Sequence, residues 1–206
     1  ICAMTSDDHI RALNEKPELL KSCGRPLIDT LVEIRDENDK PLPIGEIGQI
    51  CAKGPQIMKG YWNKTEETAK ALSGGWMHTG DAGKMDEEGF VYIQDRIKDM
   101  IVSGGENIYS TEVEAVLFSH PDVIDAAVIG VPDDKYGEVV KACIVKKKDS
   151  ELGADDLIEF CKQKIASYKK PQSVDFIEEV PRNASGKVLK KVLREPYWKN
   201  RDRQVS

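Results

Sequence analysis

At 206 residues, 40% hydrophobic and 32% charged, the chain excludes a disordered or fibrous polymer and fits one ordinary domain or two small ones. The net charge of -6 hides an asymmetry, because Lys162 to Arg203 holds twelve lysines and arginines against five acidic residues. Such a segment suits nucleic acid, a membrane surface or an anionic small molecule, yet it shows no regular alternation of aromatics with its charges and no helix-turn-helix or RNP pattern, so nucleic acid is not an expected partner.

No apolar run approaches the roughly 20 residues of a spanning helix, and Ile1 to Ile10 lacks a signal-peptide layout, so a cytoplasmic location is expected. The abrupt opening at Ile1, without an initiator Met, reads as a piece of a longer protein. Cys2, Cys23, Cys51, Cys143 and Cys161 are odd in number and scattered, which predicts free thiols. His9, His78 and His120 are isolated in sequence, and no metal site is expected from this chain's own side chains.

In chain order, Leu31 to Ile34 and Glu46 to Cys51 read as strands of a hairpin across the turn-rich Asp36 to Pro41. Thr65 to Leu72 reads as a short helix N-capped by Thr65 and stopped at Gly74-Gly75. Trp76 to Thr79 and Phe90 to Gln94 are further β runs, which predicts a small barrel or open sheet for the first ninety-odd residues. Lys98 to Ser103 then reads as a strand, and Thr111 with Glu114 as a capping box opening a helix that Pro121 ends. Val123 to Val131 and Val139 to Val145 are buried strands; Leu157, Ile158, Cys161 and Ile165 recur at helical spacing; Val174 to Ile177 is a strand; Leu189, Val192 and Leu193 mark a last short helix. The fold class expected is α+β, a mostly-β barrel-like subdomain followed by a small α+β domain with a short central sheet flanked by helices.

Two loops carry chemistry. Ser103-Gly104-Gly105-Glu106-Asn107 is neither a Walker loop nor a dinucleotide G-x-G-x-x-G, and its glycines serve either a tight turn or close approach of a ligand to the backbone. Pro181 to Lys187 delivers one lysine just ahead of an amphipathic run. Lysine is a compact charge on a flexible stem, suited to an oxygen on which negative charge develops, and a loop can move it; the alternative is an exposed loop lysine.

Taken in order, Gly60-Tyr61-Trp62 with Thr68, Gly75 to Asp81, Asp95-Arg96-Ile97-Lys98-Asp99, Gly104-Gly105-Glu106-Asn107 and Ser185-Gly186-Lys187 resemble the adenylate-forming superfamily of acyl- and aryl-CoA synthetases, luciferases and peptide-synthetase adenylation domains. The resemblance runs from about Ser22 to Arg194. It implies a carboxy-terminal portion, with residues 1–97 the β-rich end of a large AMP-binding domain and residues 98–206 a small mobile domain. The implied reaction joins a carboxylate to ATP, releasing pyrophosphate, and passes the acyl group from the adenylate to coenzyme A. By the same resemblance Asp81 accepts hydrogen bonds from the ribose hydroxyls, Arg96 meets the nucleotide, Lys98 is the hinge, Lys187 is the catalytic lysine, and Gly104 and Gly105 line the pantetheine path.

The family's main phosphate loop, acyl pocket and magnesium-holding glutamate would lie upstream of Ile1, so this chain alone is expected to be inactive, with ATP, Mg2+ and coenzyme A serving the parent enzyme. His78 stands where the family often has arginine. The wording of Lys98 to Asn107 leans toward the fatty-acyl and aryl branch and toward fatty acid metabolism, with a small carboxylic acid as substrate. A second reading is a non-catalytic folding or binding module with at most weak affinity for coenzyme A.

Overall fold

A computed structural model describes residues 1–199, so Arg201, Asp202 and Arg203 of the basic segment, with the end of the expected 98–206 domain, lie outside the described residues. The chain divides into two compact units between Ile97 and Lys98. No helix among the described residues is long and apolar enough to cross a membrane.

The first unit contains β1 (Cys2–Ala3), α1 (Ser6–Asn14), β2 (Arg25–Pro26), β3 (Leu31–Arg35), β4 (Gly48–Lys53), α2 (Thr65–Ala71), β5 (Met77–Met85) and β6 (Val91–Arg96). β3, β4, β5 and β6 form an antiparallel sheet in that order, open rather than closed into a barrel. Ile34, Ile50 and Val91 of this sheet meet in one apolar cluster. α1 has no counterpart in the sequence reading. Its signal is a capping box in which the Thr5 amide donates to Asp8 Oδ2 (2.9 Å) and the Asp8 amide donates to Thr5 Oγ1 (3.1 Å). Arg11 and Lys16 then hold the helix to Glu88, and their donors pull the Glu88 carboxyl down to about 2.

The second unit contains β7 (Ile101–Ser103), β8 (Glu106–Ile108), α3 (Ser110–Phe118), β9 (Val123–Asp133), β10 (Gly137–Lys146), α4 (Ala154–Lys162), β11 (Ser173–Phe176) and α5 (Lys190–Trp198). β9 covers one edge of β10 along its whole length, while the other edge is shared by β7, meeting Gly137 through Ser103, and by β11, running parallel from Lys141 to Ile144. β10 is therefore central and buried on both faces. Val140, Ala142 and Ile144 pack with Val113 and Leu117 of α3 and Leu157 and Cys161 of α4. Val139 and Cys143 face the opposite way, against Leu193 and Tyr197 of α5. This two-sided burial is why Val139 to Val145 is nearly continuous in apolar residues instead of alternating, broken only by Lys141, whose ammonium pairs with Asp175 (2.6 Å).

Three local expectations are not met. Lys64, not Thr65, occupies the N-cap of α2, and the hydroxyl that organises this end is Thr68, which donates to the Lys64 carbonyl (2.7 Å) and accepts from the Tyr61 amide (2.9 Å). The Thr111/Glu114 capping box does not form, because α3 starts at Ser110 and Glu114 accepts from the Val128 amide (2.8 Å) and pairs with Lys190 (2.7 Å). Lys98 to Met100 are outside the strand, which begins at Ile101; Gly104-Gly105 turn a β7–β8 hairpin, and α3 follows β8 rather than the loop.

Leu117 is fully buried in the larger core. Leu117→Ala is expected to cost about 2–5 kcal/mol in urea denaturation, because the wall around the removed atoms relaxes only in part. Acidification is expected to release α1. A carboxyl lowered from 4.5 to about 2 contributes stability above its unfolded value and loses it as pH falls through the folded one. Glu88→Gln should remove the α1-specific part of the acid transition in that window, followed by hydrogen exchange.

Candidate functional site

β5 and β6 carry the nucleotide candidates. Asp81 stands directly across the ladder from Arg96, with Arg96 Nε 2.8 Å from Asp81 Oδ1. The register that puts them there is shifted: Met85, Lys84 and Gly83 face Val91, Tyr92 and Ile93, and the ladder then skips Gln94, so that Ala82 faces Asp95 and Asp81 faces Arg96. An unbroken ladder would set Asp81 opposite Asp95, two carboxylates in contact. The Arg96 guanidinium thus pairs with Asp81 across the ladder rather than with an acid next to it in sequence. Asp95 is buried and accepts from the Arg96 amide (2.7 Å). Thr79 fixes the turn into the motif by donating its hydroxyl to the Ile50 carbonyl (2.8 Å) and accepting from the Asp81 amide (3.1 Å). Gly80 sits at φ 74°, and a Cβ there would meet the Arg96 guanidinium at 3.6 Å. The result is a half-exposed carboxylate and an exposed guanidinium side by side on one strand pair.

His78 is isolated in sequence but not in the fold. Its Nδ1 lies 2.8 Å from Gln49 Oε1 and 3.5 Å from Cys51 Sγ, and its Nε2 is 3.6 Å from Asp39 Oδ1. Asp39, Cys51 and His78 thus form a trio of ligand-type atoms that the spacing rules missed, because the three come from a turn and two strands. The trio does not suit one ion: thiol and carboxylate face opposite ring nitrogens, and Arg35 already neutralises Asp39 at 3.0 Å. Burial pushes the Cys51 thiol up to about 11, which keeps it protonated.

In the second unit, Gly104 and Gly105 have φ of 60° and 88°, as a hairpin turn of this kind requires. The Gly104 amide donates to the Tyr136 carbonyl (2.9 Å), and a Cβ at Gly104 would press on the Tyr136 ring at 3.2 Å, whereas one at Gly105 would meet open space. Tyr136 is therefore the loop's support. Lys98 lies in a single 3-10 turn, Ile97–Asp99, at the division between the units.

Lys187 is exposed, but its loop is not loose. The Asn183 side-chain oxygen accepts from the Ser185 amide (3.0 Å), the Ser185 hydroxyl (2.8 Å) and the Lys187 amide (2.9 Å). Arg182 donates to the Gly186 carbonyl (3.0 Å) and forks onto both oxygens of Asp125 (2.9 and 2.8 Å). The sequence reading gave the loop the freedom to move its lysine; these bonds fix the loop to its unit, so any travel of Lys187 is travel of the unit.

The profile described as AMP-binding enzyme C-terminal domain matches residues 112–187, and that of AMP-binding enzyme matches residues 1–62. A feruloyl-CoA synthase from Amycolatopsis sp is 44% identical over 180 residues, covering 87% of this chain and 37% of the relative. A fatty acid–[acyl-carrier-protein] ligase from Streptomyces coeruleorubidus is 42% identical over 188 residues, 91% of this chain and 36% of the relative. The o-succinylbenzoate CoA synthetase of Bacillus subtilis, solved with its acyl-adenylate intermediate, superposes with a TM-score of 0.83 at 38% identity over 94% of this chain and 38% of that one. The chain belongs to the adenylate-forming, AMP-binding superfamily and matches that family's carboxy-terminal part. It spans little more than a third of the length of these relatives.

Asn183→Ala removes one acceptor for three donors, and the amides of Ser185 and Lys187 are expected to exchange about tenfold faster or more, with α5 unchanged. Unchanged exchange at both amides would mean the loop is held by other contacts.

Proposed function

We propose that this chain is the carboxy-terminal part of an ATP-dependent acyl-CoA synthetase, an acid–thiol ligase, acting in the cytoplasm on a fatty or similar apolar acid. In the first step a carboxylate oxygen bonds to the α-phosphorus of ATP as the bond to the pyrophosphate oxygen breaks. In the second the coenzyme A sulfur bonds to the acyl carbon and AMP leaves with the electron pair of the broken C–O bond. The observation that carries the reading is the Asp81–Arg96 pair, one acceptor and one donor group held side by side on adjacent strands.

Asp81 accepts from the ribose hydroxyls, for which a planar group with two acceptor oxygens is suited, and Arg96 donates to ribose or phosphate oxygens. Lys187 meets the carboxylate and phosphate oxygens during adenylation. Lys98 is the hinge about which the second unit changes orientation between the steps, and the Gly104-Gly105 turn then borders the pantetheine path. Mg2+ and the family's main phosphate loop fall to residues of the parent enzyme outside this chain, and no step here runs through the metal. The acid is the least constrained element, since relatives of similar identity carry names with aromatic and with fatty acids.

The isolated chain as a non-catalytic module is favoured by one observation, that each unit has apolar clusters of its own. Turnover separates the two readings: weak coenzyme A binding by the 206-residue chain fits both, whereas turnover by the full-length protein singles out the enzyme.

In the full-length enzyme, Asp81→Ala is expected to raise the KM for ATP by about 10- to 100-fold, the worth of a charge-assisted hydrogen bond or two. Lys187→Ala should slow pyrophosphate exchange by about 100-fold or more while leaving thioester formation from preformed acyl-adenylate nearly intact. Equal losses in both half-reactions, or no pyrophosphate release with a panel of fatty and aryl acids, would refute the assignment.

A further inference from the structure

α5 is anchored along its length. Lys190 pairs with Glu114 of α3 (2.7 Å), Tyr197 donates its hydroxyl to Asp175 of β11, Trp198 donates its indole N–H to the Gly130 carbonyl of β9 (3.1 Å), and Leu193 and Tyr197 pack on the sheet. From this fixed base one more side chain reaches back to the start of the unit. Arg194 Nη1 donates to the Lys98 carbonyl oxygen at 3.0 Å and stands 3.0 Å from Asp99 Oδ1. Both side chains of that ion pair are only 13% exposed.

We propose that Arg194 is a positioning residue that fixes the Lys98–Asp99 peptide plane to the second unit and thereby confines the hinge to the torsions of Lys98 and the residues before it. This deepens, and rests on, the domain-alternation reading above.

The geometry of the peptide group carries the inference. The Lys98 carbonyl oxygen lies in the rigid plane that joins Lys98 to Asp99, beyond the ψ torsion of Lys98. One contact holds that oxygen and the other holds the side chain on the next Cα, so the plane is gripped at both ends. With the plane fixed, a change of orientation between the units cannot be spread through Asp99 and Met100 and must be taken up at φ and ψ of Lys98 or earlier. A guanidinium suits the task, since it stays charged at every working pH and presents its donors in a rigid fork. The same helix begins three residues after Lys187, so the hinge backbone, α5 and the stapled 183–187 loop move as one body, and the swing at Lys98 is transmitted to the catalytic lysine without slack.

The test uses Arg194→Ala and the milder Arg194→Lys. On the 206-residue chain, amide hydrogen exchange over residues 98–100 is expected to quicken by about tenfold in Arg194→Ala and by less in Arg194→Lys, with β9 and β10 protected as before. In the full-length enzyme the complete two-step kcat should fall by about tenfold at unchanged KM for ATP, because a looser pivot spreads the unit over unproductive orientations. Wild-type exchange at 98–100 in both variants would overturn the proposal. So would loss of protection across β9 and β10 even in Arg194→Lys, which would make Arg194 a general structural prop, or a raised KM for ATP at unchanged kcat. Failure of the functional reading has a separate signature: the wild-type enzyme would form no acyl-adenylate, while the exchange data would still report whether Arg194 grips the backbone.

Discussion

The irregular pairing of β5 with β6 is the constraint on which the candidate site depends. Strand side chains alternate faces, so a slip of one position exchanges the neighbours of every residue beyond it. Here the ladder skips Gln94, and the skip turns a carboxylate–carboxylate encounter between Asp81 and Asp95 into a carboxylate–guanidinium pair. Asp95, relieved of facing another acid, is buried and caps the Arg96 amide. Bulges recur where a strand must re-aim a side chain, and this one aims two groups that a ribose could share.

A second constraint operates in the other unit. β10 is buried on both faces, which commits α3 and α4 to one side and α5 to the other. Because α5 follows directly on the Lys187 loop and also contacts Lys98 and Asp99, the central strand supports the Lys187 loop and the Lys98 backbone together. In the proposed domain alternation, a lysine carried on a fixed loop would arrive at the same point after every swing, which a flexible loop could not ensure.

Much of this was legible in the sequence. The strands around β10, the hairpin read between Leu31 and Cys51 and the last helix follow from apolar periodicity and turn residues, and the order of the glycine, aspartate and lysine motifs pointed to the family. The failures trace to competing partners, some distant in the chain and some only a few residues away. Glu114 has the spacing of a capping residue but is drawn to Val128 and Lys190. Thr65 lost the cap of α2 to a geometry organised by Thr68. The register skip at Gln94, the company kept by His78 and the grip of Arg194 on Lys98 leave no local pattern, because each joins residues from separate elements. α1 is the exception, since Thr5 and Asp8 spelled out its start.

The most direct measurement is a crystal structure of the full-length enzyme bound to AMP. The Asp81 carboxylate should accept from both ribose hydroxyls at about 2.5–3.0 Å, with Arg96 turned from its carboxylate partner toward the nucleotide. A ribose bound elsewhere, with Asp81 and Arg96 still closed on each other, would contradict the claim that the skipped register exists to present this pair.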